Sequence, residues 1–184
     1  MTELASPGQL RAAFLRWALL CVPGILLLGF LSSRIAGSGP DNPWFQALEK
    51  PALFPPPATF GIVWSALYVL MGLALAMIMS ARGARGRRLA VGVFLLGLAL
   101  NLVWSPLFFG LHQITLALGV IAALALLTLA AMILFHKVRP LAGLLLLPYL
   151  AWLLFAGLLN WQFLEANPHA DGQKGASAVS RIAI

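Results

Sequence analysis

The sequence has very few charged side chains for its length. Only 9% of its 184 residues are Asp, Glu, Lys or Arg, whereas soluble domains carry about 25%. So few charges cannot cover a surface that faces water, and a hydrophobic share of 61% and a mean hydropathy of +0.95 agree with this. The composition therefore predicts a protein whose solvent is lipid.

Acidic residues, cysteines and clustered metal ligands are also scarce. The five acidic residues are Glu3, Asp41, Glu49, Glu165 and Asp171. None lies within an apolar run, so no carboxylate pair is available there for acid–base catalysis. The single cysteine, Cys21, excludes an intramolecular disulfide and a cysteine metal cluster. The three histidines lack metal-ligand spacing, so the residues indicate neither a classical enzyme nor a metal site, and no cofactor is required.

Five long apolar runs dominate the chain. A helix needs about 20 apolar residues to cross a bilayer. The predicted spans are Leu10–Leu31, Thr59–Ser80, Leu89–Phe109, Ile114–Phe135 and Leu141–Leu164. The runs are unbroken rather than alternating, which argues against barrel strands. We expect an all-α integral membrane protein, a bundle of five transmembrane helices.

These spans divide the chain into three parts. Residues 1–9 are an N-terminal extension, residues 10–164 the transmembrane domain and residues 165–184 a flexible tail. The domain contains one long loop, residues 32–58, which is rich in proline and carries apolar anchors, so we expect it to pack over the helix ends. A cleaved signal peptide is a competing interpretation of the first run. The length of that run, and Arg34 after it, argue against cleavage.

The basic residues predict an orientation. The net charge of +7 is compatible with nucleic-acid binding, but the charges lie in short connections between spans, as in membrane proteins. The bilayer is therefore the predicted partner, and nucleic acid is not. One side would hold Arg11, Arg16, Arg82, Arg85, Arg87, Arg88, Lys137 and Arg139, and the other Arg34, Lys50, Lys174 and Arg181. The richer side predicts a cytoplasmic N-terminus.

Three of the predicted helices carry stripes of aromatic and polar side chains. The stripes contain Trp64 and Tyr68 on the second span, Asn101 and Trp104 on the third, and Tyr149, Trp152 and Ala156 on the fifth. Helical spacing puts each stripe on one face of its helix. The stripes are consistent with a ligand pocket or with core packing. Asn101 must face the bundle interior, since an unpaired amide in hydrocarbon is costly, and either a pocket or an interhelical hydrogen bond satisfies it.

The long loop is predicted to form a lid over this pocket. Its candidate lid residues are Trp44, Phe45, Lys50, Pro51 and Leu53. Lys50 or Arg34 near the mouth is suited to meet a ligand carboxylate. Snorkelling of these side chains to the bilayer interface is the alternative explanation of their positions.

Three segments make the sequence recognisable. They are EKP…PP…F…VWSALYVLMG in residues 49–72, LALNLVWSPLFFG in residues 98–110, and RPLAGLLLLPYLAWLLFAGLLNW in residues 139–161. In order and spacing the chain resembles the TspO/MBR family, which comprises the tryptophan-rich sensory proteins and the translocator protein, or peripheral-type benzodiazepine receptor. The resemblance covers most of the chain beyond the N-terminal extension.

The resemblance implies a five-helix bundle whose pocket opens toward the long loop. It implies binding of tetrapyrroles such as protoporphyrin IX and of synthetic isoquinoline-carboxamide or benzodiazepine ligands, and it implies homodimers. In this family the tryptophans that match Trp64 and Trp152 line the pocket and are linked to light-dependent porphyrin breakdown. The residues matching Asn101 and Ala156 also lie at the pocket, with Tyr68 and Trp104 at neighbouring motif positions.

A receptor or sensor in tetrapyrrole homeostasis or stress regulation is the leading hypothesis from this resemblance. The alternatives are a photo-oxidative porphyrin-degrading enzyme, in which Trp64 and Trp152 are the redox groups, and a small transporter of tetrapyrroles or sterols. Two departures from the family pattern matter. Ala52, Leu53 and Phe54 follow Pro51 where the family often has tryptophan, and no tyrosine followed by a basic residue comes after the fifth span. The second departure means that high-affinity cholesterol binding is not predicted.

Overall fold

The structure, a computed structural model, describes residues 6–172. Its helices are α1 (Pro7–Ile35), α2 (Pro43–Ala47), α3 (Pro57–Ser80), α4 (Arg87–Ser105), α5 (Ile114–Val138), α6 (Pro140–Leu144) and α7 (Leu147–Ala166). Within these described residues, five segments are long and apolar enough to cross a membrane: α1, α3, α4 with the turn after it, α5, and α6 with α7. Within residues 6–172 there is no strand. The predicted all-α fold with five spans is confirmed, and the chain is an integral, multi-pass membrane protein.

The first helix is longer than the apolar run alone predicts. It begins at Pro7 because Ser6 and Gln9 form a capping box. The Ser6 Oγ accepts from the Gln9 amide at 3.3 Å, and the Gln9 Oε1 accepts from the Ser6 amide at 2.8 Å. Such a box satisfies amides that a helix start leaves unpaired. The helix therefore extends into the predicted N-terminal extension and ends at Ile35, inside the predicted loop.

The third span changes its helical geometry at Pro106. The α-helix ends at Ser105, and a π-helical turn follows over Pro106–Gly110. Because proline has no amide hydrogen and its ring clashes with the preceding turn, it disturbs a regular helix there. The Leu111 amide then donates to the Pro106 carbonyl at 2.9 Å. This turn directs Phe108 into the protein, where only 2% of its surface is exposed.

The fifth span is interrupted near its start, which run length did not predict. Residues 145–146 form a turn between α6 and α7, closed by a bond from the Leu146 amide to the Gly143 carbonyl at 3.1 Å. Pro148 lies in the first turn of α7, where its missing amide hydrogen costs nothing. Gly143 also lets α6 approach α5 closely, since a Cβ there would lie 2.8 Å from the Met132 carbonyl oxygen.

The helices pack in pairs around two hydrophobic clusters. Helix α1 lies along α3, α4 packs on α5, and α5 packs on α7. The larger cluster is centred on Met71 and Ile78 of α3 and on Leu124 and Phe135 of α5. The smaller one lies at the end of the bundle nearest the long loop. We call that end the loop end.

The long loop and the residues after α7 are attached to the loop end. The Asn42 side chain caps α2 by accepting from the Phe45 amide at 2.9 Å. The Asn167 side chain accepts from the Glu49 amide at 2.8 Å and donates to the Glu49 carbonyl at 3.0 Å. The Asp171 carboxylate accepts from the amide and hydroxyl of Thr115. Of the predicted flexible tail, residues 173–184 lie outside the described residues.

Candidate functional site

A cavity of about 670 Å³ lies between α1, α3, α4, α5 and α7, toward the loop end. Ligand pockets in proteins typically measure about 300–1,000 Å³. Six of the seven predicted binding residues line it: Trp64, Tyr68, Asn101, Trp104, Trp152 and Ala156. Packing has thus brought the three predicted stripes to a single cavity. No charged side chain is among its lining residues within the part of the chain described.

A chain of hydrogen bonds lies at the inner end of the cavity. The Tyr68 hydroxyl donates to the Asn101 Oδ1 at 3.0 Å, and the Asn101 Nδ2 donates to the Tyr149 hydroxyl at 3.0 Å. Tyr149 is also hydrogen-bonded to Thr128 and is 3% exposed. It therefore lies behind Asn101 rather than on the cavity wall, unlike the other predicted binding residues. Asn101 lines the cavity and links three helices, α3, α4 and α7.

The two predicted redox tryptophans lie next to each other in the wall. The rings of Trp64 and Trp152 meet edge to face, with 6.5 Å between centroids and 85° between planes. Trp64 also lies 5.2 Å from Tyr68 and 6.2 Å from Tyr149, centroid to centroid. Such edge-to-face pairs are a favoured aromatic geometry. Their contacts close the wall between α3 and α7.

An aromatic cluster covers the loop end of the cavity. Phe45 of α2 is at its centre, with ring centroids 5.2 to 6.3 Å from those of four other phenylalanines. These are Phe54, Phe108, Phe109 and Phe163. The resemblance implied an opening toward the long loop, whereas in this structure the cluster covers that end.

Only one of the five predicted lid residues lines the cavity. It is Phe45. Trp44 is stacked on His112 at 4.3 Å, behind Phe108. Leu53 is 52% exposed, and Pro51, like Lys50, is not among the lining residues. Spacing gave no information on side-chain direction here because the loop has no periodic structure.

Lys50 stabilises the end of α2. Its Nζ donates to the carbonyls of Phe45, Gln46 and Leu48 and lies 4.6 Å from the Phe45 ring centroid. A cation at a helix C-terminus is favourable because the carbonyls there are unpaired. Partial burial lowers the pKa of the Lys50 amine. Lys50 thus fixes the position of Phe45, and Arg34 is exposed at the end of α1 and is not among the lining residues.

Several lining residues were not predicted. On α1 they include Leu26, Gly29, Phe30 and Ser33, and elsewhere Phe54, Phe60, Asn160 and Phe163. Phe60 precedes Trp64 by one helical turn, so extending that stripe backward would have found it. The contribution of α1 had no such signal, because apart from Phe30 its lining face carries aliphatic and small residues.

The chemistry of the cavity is apolar, with a few polar groups. The indole nitrogens of Trp104 and Trp152 and the Asn160 Oδ1 are buried without a hydrogen-bond partner in the described chain. No group of three or more His, Cys, Asp or Glu side chains suited to a metal ion occurs within residues 6–172. Such a cavity suits a mostly apolar ligand with few polar groups.

Known proteins are similar to this chain over the segment that contains the cavity residues. The model of the TspO/MBR family matches residues 19–165. The chain is 40% identical over 150 residues to the translocator protein of Sus scrofa, covering 80% of this chain and 86% of that one. It is 37% identical over 151 residues to the tryptophan-rich protein TspO of Chlorobaculum tepidum, covering 81% and 94%. Protein CrtK of Rhodobacter capsulatus is 36% identical over 128 residues, covering 68% and 79%.

Proposed function

This chain belongs to the TspO/MBR family, and from that premise we propose that it is a membrane receptor of the sensor type that binds porphyrins such as protoporphyrin IX. Its role would lie in tetrapyrrole homeostasis or stress regulation. The observation that carries the proposal is the convergence of Trp64, Asn101 and Trp152 on one cavity. Indole faces suit a flat macrocycle, and the volume lies in the range of ligand pockets.

A fluorescence titration tests this proposal. Protoporphyrin IX added to the protein in nanodiscs is expected to quench tryptophan fluorescence saturably. Ala156→Phe fills the cavity without removing a tryptophan, so it is expected to weaken binding by about tenfold or more. Trp161→Phe is the matched control, because Trp161 is 48% exposed and not among the lining residues. It should keep the wild-type affinity, and absence of saturable quenching in the wild type would refute the proposal.

The edge-to-face pair of Trp64 and Trp152 favours a second candidate function. Indoles beside a bound, light-excited porphyrin are placed to exchange an electron with it, with dioxygen as the terminal oxidant. We propose light-dependent porphyrin degradation as this activity. Illumination of the complex in air should then bleach the porphyrin absorbance faster in the wild type than in Trp64→Phe/Trp152→Phe at equal occupancy. Equal bleaching would show that the indoles are not the reagents.

We also propose that synthetic isoquinoline-carboxamide and benzodiazepine ligands occupy the same cavity. Their aromatic rings, like the porphyrin macrocycle, bind favourably in an apolar site without charged side chains. Competition tests this, since a shared site requires the apparent dissociation constant of protoporphyrin IX to rise linearly, without saturation, as the concentration of such a ligand increases.

A homodimer is the proposed assembly. Gly92 and Ala99 are exposed on one face of α4, where small residues allow another helix to approach closely. Gly97 is instead buried against Leu124 and Leu127 of α5 and is used within the chain. Ala99→Cys in a Cys21→Ala background should form a disulfide-linked dimer in bilayers. Recovery of monomer alone would exclude this face.

A further inference from the structure

We propose that the ligand enters this cavity sideways from the bilayer, through a gap between α1 and α3, and not from water through the long loop. The inference rests on the proposed function, because it concerns the route of the same ligand. We call the gap the lateral portal. Its edges are Leu27 and Phe30 of α1 and Gly61 and Ser65 of α3, all of which line the cavity.

The two helices touch closely at one level and separate at another. A Cβ at Gly72 would lie 2.7 Å from the Val22 Cα, and a Cβ at Gly29 would overlap the Tyr68 ring. At Gly61, nearer the loop end, a Cβ would meet nothing within 4 Å. The close contact of α1 with α3 thus stops short of Gly61, which also lines the cavity, and the portal is the open space beside it.

The edges of the portal are exposed and apolar. Leu27 is 57% exposed and Phe30 is 61% exposed, although both also line the cavity. The Ser65 hydroxyl donates within its own helix, to the Gly61 carbonyl at 2.7 Å. It presents no unpaired donor at the edge. An apolar ring system can thus pass from lipid to the cavity without desolvating a polar group.

Contacts between elements cross two of the other walls and the loop end. The Ser32 hydroxyl donates to the Leu102 carbonyl and joins α1 to α4. Trp64 and Phe60 contact Trp152 and join α3 to α7. At the loop end, Phe45, Phe108 and Phe163 are each at most 7% exposed. Entry through that end would require the aromatic cluster to separate, whereas at Gly61, on the edge of the portal, an added Cβ meets nothing within 4 Å.

The test compares association rates when each route is blocked. Protoporphyrin IX is mixed by stopped flow with the protein in nanodiscs. Gly61→Phe places a side chain in the portal and is expected to slow association and dissociation by about tenfold or more. Gly119→Phe is the matched control, since Gly119 is an exposed helical glycine on α5, is not among the lining residues and has nothing within 4 Å of its added Cβ. Its rates should stay within about twofold of the wild type.

The loop route is blocked by a disulfide. Glu49→Cys/Asn167→Cys in a Cys21→Ala background replaces the two-way hydrogen bond between the loop and the end of α7. Oxidation should leave the association rate within about twofold of that of the reduced protein. Phe30→Ala, which widens the portal, is expected to raise both rates and gives a second readout if Gly61→Phe misfolds.

Two results would overturn the portal. The first is a slower association rate when the Glu49→Cys/Asn167→Cys pair is oxidised to the disulfide. The second is that Gly61→Phe and Phe30→Ala both keep the wild-type association and dissociation rates. Either would leave the proposed function intact so long as the wild type still binds saturably. Absence of saturable binding in the wild type would instead refute the proposed function itself.

Discussion

Gly29 allows α1 to lie directly against the ring of Tyr68. A Cβ at this position would overlap the ring, and Tyr68 has little freedom to move because it is hydrogen-bonded to Asn101. We expect Gly29→Ala to destabilise the protein by about 1–3 kcal/mol, the usual cost of overpacking. The measurement is the thermal unfolding midpoint in detergent, followed by circular dichroism.

Gly24 provides the control for this substitution. It lies on the same helix, and a Cβ there would meet nothing within 4 Å. Gly24→Ala should be neutral or stabilising, because alanine is the better helix former by about 1 kcal/mol. Equal midpoints for the two variants would show that the close contact with Tyr68 does not constrain the fold.

Asn101 is expected to stabilise the fold through both hydroxyls that it contacts. Asn101→Leu leaves the Tyr68 and Tyr149 hydroxyls without this amide, and an unpaired buried group costs about 1–3 kcal/mol. A double-mutant cycle isolates the bond. Tyr68→Phe should cost about 1 kcal/mol less in the Asn101→Leu background than in the wild type. Identical costs in both backgrounds would mean that the Tyr68–Asn101 bond contributes nothing.

Residue types and spacing indicated much of the cavity but not all of it. Trp64, Asn101 and Trp152 were predictable because a regular helix fixes which residues share a face. Lys50 and Leu53 were not, since they follow α2 in irregular backbone, where neighbours such as the Phe45 carbonyl decide the side-chain direction. Tyr149 lies one helical turn from Trp152 yet points behind Asn101, a difference that only packing reveals.

At the scale of elements, the long apolar runs determine the helices and the prolines modify them. Run length predicted all five spans because a membrane helix must satisfy its backbone within the segment. The π-helical turn at Pro106 and the break before Pro148 depend on individual backbone bonds, which hydropathy does not report. The role of α1 as a cavity wall was also not predictable, since the residues on its lining face resemble those of a face that contacts lipid.

One side chain, Asn167, supplies the hydrogen bonds between the loop that carries α2 and the end of α7, beside the ring contacts of Phe45 and Phe54 with Phe163. Asn167 bonds both backbone groups of Glu49 and also donates to the Phe163 carbonyl at 3.0 Å. Asn167→Ala should therefore release the loop while leaving the helices intact. We expect hydrogen exchange to rise in peptides covering residues 43–54 and to stay unchanged in α5. Glu165→Gln, an exposed position two residues earlier, should exchange like the wild type.

A different outcome would assign the attachment to other contacts. If Asn167→Ala exchanges no faster than wild type over residues 43–54, the aromatic cluster around Phe45 is sufficient to hold the loop. If exchange also rises in α5, Asn167 supports the bundle as a whole. Only a local increase agrees with a side chain that joins the loop to α7.

At the scale of the whole molecule, the apolar surface and the cavity have a common origin. The chain buries few residues on α1 and leaves large side chains such as Leu19 and Ile35 exposed, which is compatible with lipid and not with water. Helices that need not bury every apolar face against each other are free to diverge around a cavity. Composition predicted the apolar surface. The cavity instead depends on how α1 packs against α3, which composition does not report.

The distribution of basic residues predicts the orientation of the molecule. Residues 81–86 connect α3 to α4 at the end opposite the long loop, and the arginines lie in and beside this connection. The positive-inside rule places that end, with the N-terminus, in the cytoplasm. In a Cys21→Ala background, Ala84→Cys should react with a membrane-impermeant maleimide in inside-out vesicles. Ala52→Cys in the long loop should react in right-side-out vesicles.

Reducing the positive charge tests the cause of the orientation as well as its direction. Replacing Arg82, Arg85 and Arg88 by glutamine lowers the basic count on the first side from eight to five, against four on the other. Arg87 is left in place because its Nε donates to the Ile78 carbonyl at 3.1 Å and so supports the end of α3. We expect this variant to be labelled at Ala84→Cys in both kinds of vesicle, since the charge bias that sets orientation is nearly removed. Labelling of Ala52→Cys only in inside-out vesicles would show instead that the long loop faces the cytoplasm.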